Sequence, residues 1–130
     1  MAYKLERYQD LPVVVCVLGA QFDPKRDIGE VIKDLKKNFD EADQPIFYIN
    51  DMTDVKWGFS DVVLGMGAAA SAGGVMRHKN LREIIVISKS ELVRFGVGAL
   101  GQAQYGGLRA RIANTLDEAL NYVRGEVKKA

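Results

Sequence analysis

The 130-residue sequence has the length of one domain, and 48% hydrophobic with 27% charged residues is the balance of a folded chain, which excludes a disordered or fibrous one. With 18 Lys and Arg against 17 Asp and Glu, the net charge is +1, so the basic excess of a dedicated nucleic-acid binder is missing. The single cysteine, Cys16, excludes a disulfide framework, and no run reaches the ~20 apolar residues of a membrane span. These features describe one domain over residues 1–130, expected in the cytoplasm, with no membrane span and no nucleic-acid partner.

In chain order, Lys4 to Tyr8 alternates and reads as a short edge strand. Pro12 to Leu18 is a β-branched run of the kind that forms a buried strand, broken by Gly19 and by Phe22-Asp23-Pro24. A helix is expected from about Asp27, where Asp27 and Glu30 form a capping pair. Ile28, Val31, Ile32, Leu35 and Phe39 line one face of it. Pro45 to Ile49 is a second buried strand, followed by a polar turn from Asn50 to Gly58.

The next helix, expected from Ser60 to about Lys79, is apolar or small nearly all round, including the run Ala68 to Gly74. Such a helix is covered on more than one side. Arg77, His78 and Lys79 suit the negative pole of its dipole, and Asn80 its C-cap. Glu83 to Ser88 is a third internal strand. Ser90 caps a helix through Leu100 that dissolves near Gly106-Gly107, and Leu108 to Ala113 is a short last strand. Thr115 and Glu118 form a capping box for a final helix lined by Leu116, Ala119, Leu120, Val123 and Val127.

The order ββαβαβαβα predicts an α/β domain with a mostly parallel sheet covered by four helices and right-handed crossovers. Catalytic chemistry finds little support. The only histidine, His78, has no neighbouring nucleophile, and Cys16 sits inside an apolar strand without basic neighbours to activate it. Gly65-Met66-Gly67 and Gly96-Val97-Gly98 fall inside helices, where no backbone N–H is free to cradle a phosphate, so no cofactor is expected. Asp51, Asp54 and Asp61 read as turn and helix-start residues rather than as a metal set.

What remains is the turn itself, at the carboxyl edge of the sheet, where α/β folds place their sites. Ser60 stands where the N-cap of the second helix is expected and is a candidate phospho-acceptor. Asp51, Thr53, Asp54, Trp57, Phe59 and Asp61 form the candidate binding surface around it. Trp57 and Phe59 either anchor a partner there or fold back onto the core.

The pattern resembles the STAS domain, the SpoIIAA-like fold of anti-sigma-factor antagonists, over roughly Lys4 to Val127. Asp51-Met52-Thr53-Asp54-Val55 followed by Ser60 is similar to that family's strand end and switch serine. Leu116-Asp117-Glu118-Ala119-Leu120 is similar to the start of its last helix. Where the family has Asp-Ser-Ser-Gly, this chain reads Phe59-Ser60-Asp61-Val62, which places it nearer the divergent SpoIIAA-like branch. The resemblance implies a non-catalytic regulator that binds a protein partner of the kinase or anti-sigma type and is switched by phosphorylation at Ser60. The alternative is a domain that binds a small hydrophobic ligand or lipid, the second helix lining a cavity with Met66, Met76 and Phe95. An enzyme is the least supported reading, and the small residues of the second helix also suit self-association into a homo-oligomer.

Overall fold

The computed structural model describes residues 2–70, 75–101 and 110–129. Strand β1 (Tyr3–Arg7) leads to β2 (Val13–Leu18), helix α1 (Pro24–Glu41), β3 (Ile46–Asp51), α2 (Phe59–Ala70), a 3₁₀ turn (Val75–Arg77), β4 (Leu81–Ile87), α3 (Glu91–Leu100), β5 (Ala110–Ala113) and α4 (Leu116–Lys129). The five strands lie side by side in sequence order. β1 runs antiparallel to β2, and β2 through β5 are parallel. This is the expected mostly parallel α/β sheet with four helices.

Strand alternation splits the sheet into two apolar faces. Val14, Cys16, Leu18, Ile46, Tyr48 and Val86 meet Val31, Leu35, Phe39, Val62, Val93 and Val97 of α1, α2 and α3. Crossovers of one hand along a sheet built in one direction stack their helices on one side, and these three helices share one side. The opposite face, with Val13, Val15, Phe47, Ile49, Ile85 and Ile87, is covered by Ala119, Leu120 and Val123 of α4.

The helix ends show local chemistry that a periodicity reading places less sharply. α1 begins three residues before Asp27: Asp23 is its N-cap and accepts from Lys25 N at 3.0 Å, and Pro24 occupies the first helical position. Asp27 still serves the start, accepting from Asp23 N at 2.9 Å. For α2 the cap is Gly58, whose carbonyl accepts the first helical bond from Val62 N, while Asp61 accepts from Gly58 N at 3.0 Å. Ser60 therefore lies in the first turn rather than at the cap. At α3 Ser90 caps as expected, accepting from Val93 N. At α4 Thr115 accepts from Glu118 N, and Glu118 reaches back to Asn114 N.

The second helix does not continue as one unit to Lys79. It is described to Ala70, residues 71–74 lie outside the described residues, and Val75–Arg77 is a 3₁₀ turn. His78 and Asn80 consequently serve α1. The His78 Nε2 lies 2.7 Å from Asp40 Oδ1, its Nδ1 accepts from Asn80 N at 3.0 Å, and its ring rests against Phe39 with centroids 5.5 Å apart. Asn80 Nδ2 donates to the Phe39 and Ala42 carbonyls, both at 2.9 Å, at the end of α1, where Phe39 O also accepts from Ala42 N at 3.3 Å. Asn80→Ala removes both bonds and is expected to cost about 1 kcal/mol in urea unfolding, in the range of a lost helix cap.

Ala110–Ala113 is the described part of the last strand. Its expected start at Leu108 and the Gly106-Gly107 stretch lie outside the described residues. Between Ile46 and Phe47 the pairing to β4 slips by one residue, from Leu81 to Glu83, and Arg82 lies over the Phe47 ring at 4.7 Å.

Candidate functional site

The turn after β3 does not form one surface. Its residues divide between a polar cleft at the carboxyl ends of the strands and an apolar cavity between the sheet and its three helices.

Asp51, at the end of β3, points to the α4 side and is buried. Its Oδ1 accepts from Thr53 N at 3.0 Å and from the Thr53 hydroxyl, which closes a tight side-chain turn. Asp51, Thr53 and Asp54 then line a cleft of about 410 Å³ with Lys89, Asn114 and Thr115, which follow β4 and β5. Lys89, Asn114 and Thr115 come from distant stretches of sequence. The signal available for them was their position directly after strands, at the same edge of the sheet. Arg94 backs this edge, donating to the Ser88 carbonyl at 3.0 Å and to Asn114 Oδ1. Among the described residues, no three His, Cys, Asp or Glu side chains are grouped to hold a metal ion.

Asp61 lies apart from that cleft, its carboxylate turned onto Gly58 N. Ser60 and Phe59 are exposed in the first turn of α2, Phe59 by 68%. Trp57 folds back: its ring stacks near Phe22 with centroids 6.2 Å apart, and it packs over α2. Gly65 makes that position available. A Cβ there would stand 2.8 Å from Trp57 Cζ3. Gly96 does the same between α2 and α3, where a Cβ would stand 2.6 Å from Val62 Cγ1. Small residues on α2 and α3 thus serve close packing within the chain at these two points.

The same small residues leave space. A cavity of about 140 Å³ lies between the sheet and α1, α2 and α3. Gly65, Ala68 and Ala69 of α2 face it, along with Gly96 of α3. Met66 and Met76 line it as the composition suggests, whereas Phe95 is 71% exposed on the outside of α3. Two polar groups among the lining residues stand out: Asn50 Oδ1 and Trp57 Nε1 are both shielded from solvent, and neither has a hydrogen-bond partner among the described residues. Asn50 escapes a reading that ends the strand at Ile49. Its signal is parity, because Ile46, Tyr48 and Asn50 share the face of β3 that meets the helices.

Two buried groups on the helix-covered face of the sheet, Tyr48 and Cys16, are held in their neutral forms. Burial, with the nearby Cys16, pushes the Tyr48 phenol well above its ordinary range. Burial and then the charge of Asp34 push the Cys16 thiol up to about 12, so it carries no thiolate at neutral pH. The second ring nitrogen of His78 is engaged by a backbone N–H, which leaves it no lone pair for proton abstraction. No helix among the described residues is long and apolar enough to cross a membrane.

No family model matches the sequence, and no curated protein sequence matches it. Solved structures do resemble it. An uncharacterized protein of the DUF3478 family with a SpoIIAA-like fold, from Shewanella loihica PV-4, superposes with a TM-score of 0.60 at 14% identity, covering 94% of this chain and 92% of its own. An anti-sigma factor antagonist from Mycobacterium paratuberculosis superposes with a TM-score of 0.55 at 15% identity, again over 94% and 92% of the two chains. With the strand order and helix placement above, these superpositions show that the chain has the STAS/SpoIIAA-like fold.

Proposed function

We propose that this chain is a regulatory domain that acts by binding and performs no covalent chemistry, its partner being another protein held on the outer side of α2 and α3. The observation that carries this reading is the distribution of exposed apolar side chains. Of five large ones among the described residues, Phe59, Val63 and Leu64 stand on α2 and Phe95 on α3. These two helices pack on one another, and grouped apolar exposure of this kind marks an interaction surface. The anti-sigma factor antagonist of like fold gives the reading its regulatory sense.

In this reading Ser60 is the switch of that surface. It is exposed, adjoins Phe59, and lies in the first turn of α2, where the helix dipole favours added negative charge. A phosphate would add about −1.5 to −2 charges beside an apolar anchor, with Asp61 next to it, and so weaken an apolar contact. The cleft lined by Asp51, Thr53 and Asp54 would then form the rim of the interface.

The test uses three baits in a lysate of the native organism: wild type, Phe59→Ser with Phe95→Ser, and Ser60→Glu. A partner identified by mass spectrometry should bind purified wild type and lose about tenfold or more in affinity to the double variant, the scale of losing one buried aromatic anchor. Equal binding by all three baits rejects both the surface and the switch.

A second reading is favoured by the cavity: a small apolar ligand held between the sheet and the helices. Its volume of about 140 Å³ is comparable to cavities of about 150 Å³ that take molecules of benzene size. Organic extraction of the purified protein followed by mass spectrometry should then release one such compound in near-stoichiometric amount, and a clean extract argues for the protein surface alone.

A further inference from the structure

We infer that two copies of this chain pair edge to edge through β1, antiparallel and centred on Leu5, so that their sheets join into one. The inference goes beyond the protein-binding reading, since it uses the edge of the sheet and not the outer side of α2 and α3. Among the described residues β1 is an edge strand, with β2 on one side of it and no strand on the other. Its pairing to β2 is a regular antiparallel ladder from Tyr3↔Leu18 to Arg7↔Val14.

The ends of that ladder decide which backbone groups it leaves over. Tyr8 N donates to Val13 O at one end, and Gly19 N donates to Ala2 O at the other. Hydrogen-bonded pairs alternate along an antiparallel ladder, so Ala2, Lys4, Glu6 and Tyr8 turn their N–H and C=O groups to β2. Tyr3, Leu5 and Arg7 turn theirs outward, and no backbone hydrogen bond to a described residue takes them up. An open edge of this kind is a template for another strand.

Charge selects the strand that fits. Lys4 and Glu6 are exposed, on the sheet face opposite Tyr3 and Leu5, and neither makes an ion pair among the described residues. With Leu5 set against the partner's Leu5, Lys4 faces the partner's Glu6 and Glu6 faces the partner's Lys4. In this register the outward-turned residues are the ones that exchange hydrogen bonds. The two Lys–Glu pairs fall at the positions between, where side chains stand closer. The two nearest registers that keep the outward groups facing one another set Lys4 against Lys4 or Glu6 against Glu6, which is unfavourable. The other edge offers no such match, because Arg111, the one charged residue of β5, is already paired with Glu83. The two-fold axis of such a pair stands normal to the sheet, which puts both α2–α3 surfaces on the same side of it.

Sedimentation equilibrium of the intact chain tests this, with Lys4→Glu, Glu6→Lys and the double exchange run beside wild type. A pairing of five-residue strands is smaller than a standard interface of about 1,600 Å², so wild type is expected to dimerise with a Kd of about 10–100 μM. Its mass should approach twice 14.4 kDa by about 1 mM. Each single variant turns both cross-strand pairs into like charges and should weaken the dimer about tenfold or more. The double exchange sets opposite charges against each other again, as does mixing the two single variants. Both should recover a dimer within about threefold of the wild-type Kd. Wild type that stays a monomer at about 1 mM overturns the inference. So does a dimer indifferent to the single variants, or one that neither the exchange nor the mixture recovers. Phe59 and Phe95 are untouched in every variant, so the protein-binding reading stands or falls apart from this result.

Discussion

Replacing Phe47 with alanine is expected to remove about 3–5 kcal/mol of stability, the range for truncating a fully buried phenylalanine. Phe47 is 0% exposed near the start of β3. Arg82 lies over one face of its ring, and Tyr122 of α4 meets its edge with centroids 6.3 Å apart. The cavity left behind has little means of closing, because Val13 and Glu83 beside it are held in the backbone ladder and α4 is fixed through Val123. Domains of this size are stable by about 5–15 kcal/mol, so the variant should lose a large part of that margin. Thermal unfolding should show a fall in midpoint of more than about 10 °C. Phe95→Ala is the matched control. At 71% exposure it should change stability by less than about 0.5 kcal/mol. A small shift for Phe47→Ala would mean that the α4 face is not packed as described.

Gly96→Val is expected to cost about 2–3 kcal/mol, through crowding instead of loss. Its Cβ would stand 2.6 Å from Val62 Cγ1, and Val62 is a short, stiff side chain buried between α2 and α3. Either the two helices separate or Val62 leaves its rotamer. The gain in helix propensity over glycine, about 0.5 kcal/mol, does not offset this. The diagnostic experiment adds Val62→Ala. Alone it should destabilise by about 1–3 kcal/mol, yet the double variant should lie well short of the sum, because shortening Val62 makes the room the new side chain needs. Strict additivity in urea unfolding would place the two residues out of contact.

The fold was legible because its determinants are local. The run Val13 to Leu18 and the helical spacing from Ile28 to Phe39 each state their own structure, and Ser90 and Thr115 cap the helices they precede. The start of α2 was misplaced by a choice among near neighbours: Asp61 reaches Gly58 N, so Gly58 takes the cap and Ser60 falls inside. Asn80 was assigned to the wrong helix, because the carbonyls it satisfies belong to residues 38 and 41 positions earlier. The turn after β3 was treated as one surface since its residues are contiguous in sequence. Strand parity sends Asp51 to the α4 side, while Gly65 draws Trp57 to the opposite one. The cavity has no local signature at all. It is a gap among three helices, and only the small residues of α2 and the inward parity of Asn50 hint at it.

One face of the sheet acquires its helices progressively, as α1, α2 and α3 each follow a strand. The other has α4 as its one helix among the described residues, with Tyr8 and Leu11 packed beside it, and α4 is translated after all five strands. A nascent chain that has completed its sheet therefore carries Val13, Val15, Phe47, Ile49, Ile85 and Ile87 uncovered until the last helix leaves the ribosome. For that interval the molecule presents a broad apolar face to the cell, a natural substrate for chaperones and a seed for aggregation. A ribosomal stall or a nonsense codon shortly before Leu116 would make that interval permanent, which ties the solubility of the whole domain to about four turns of helix.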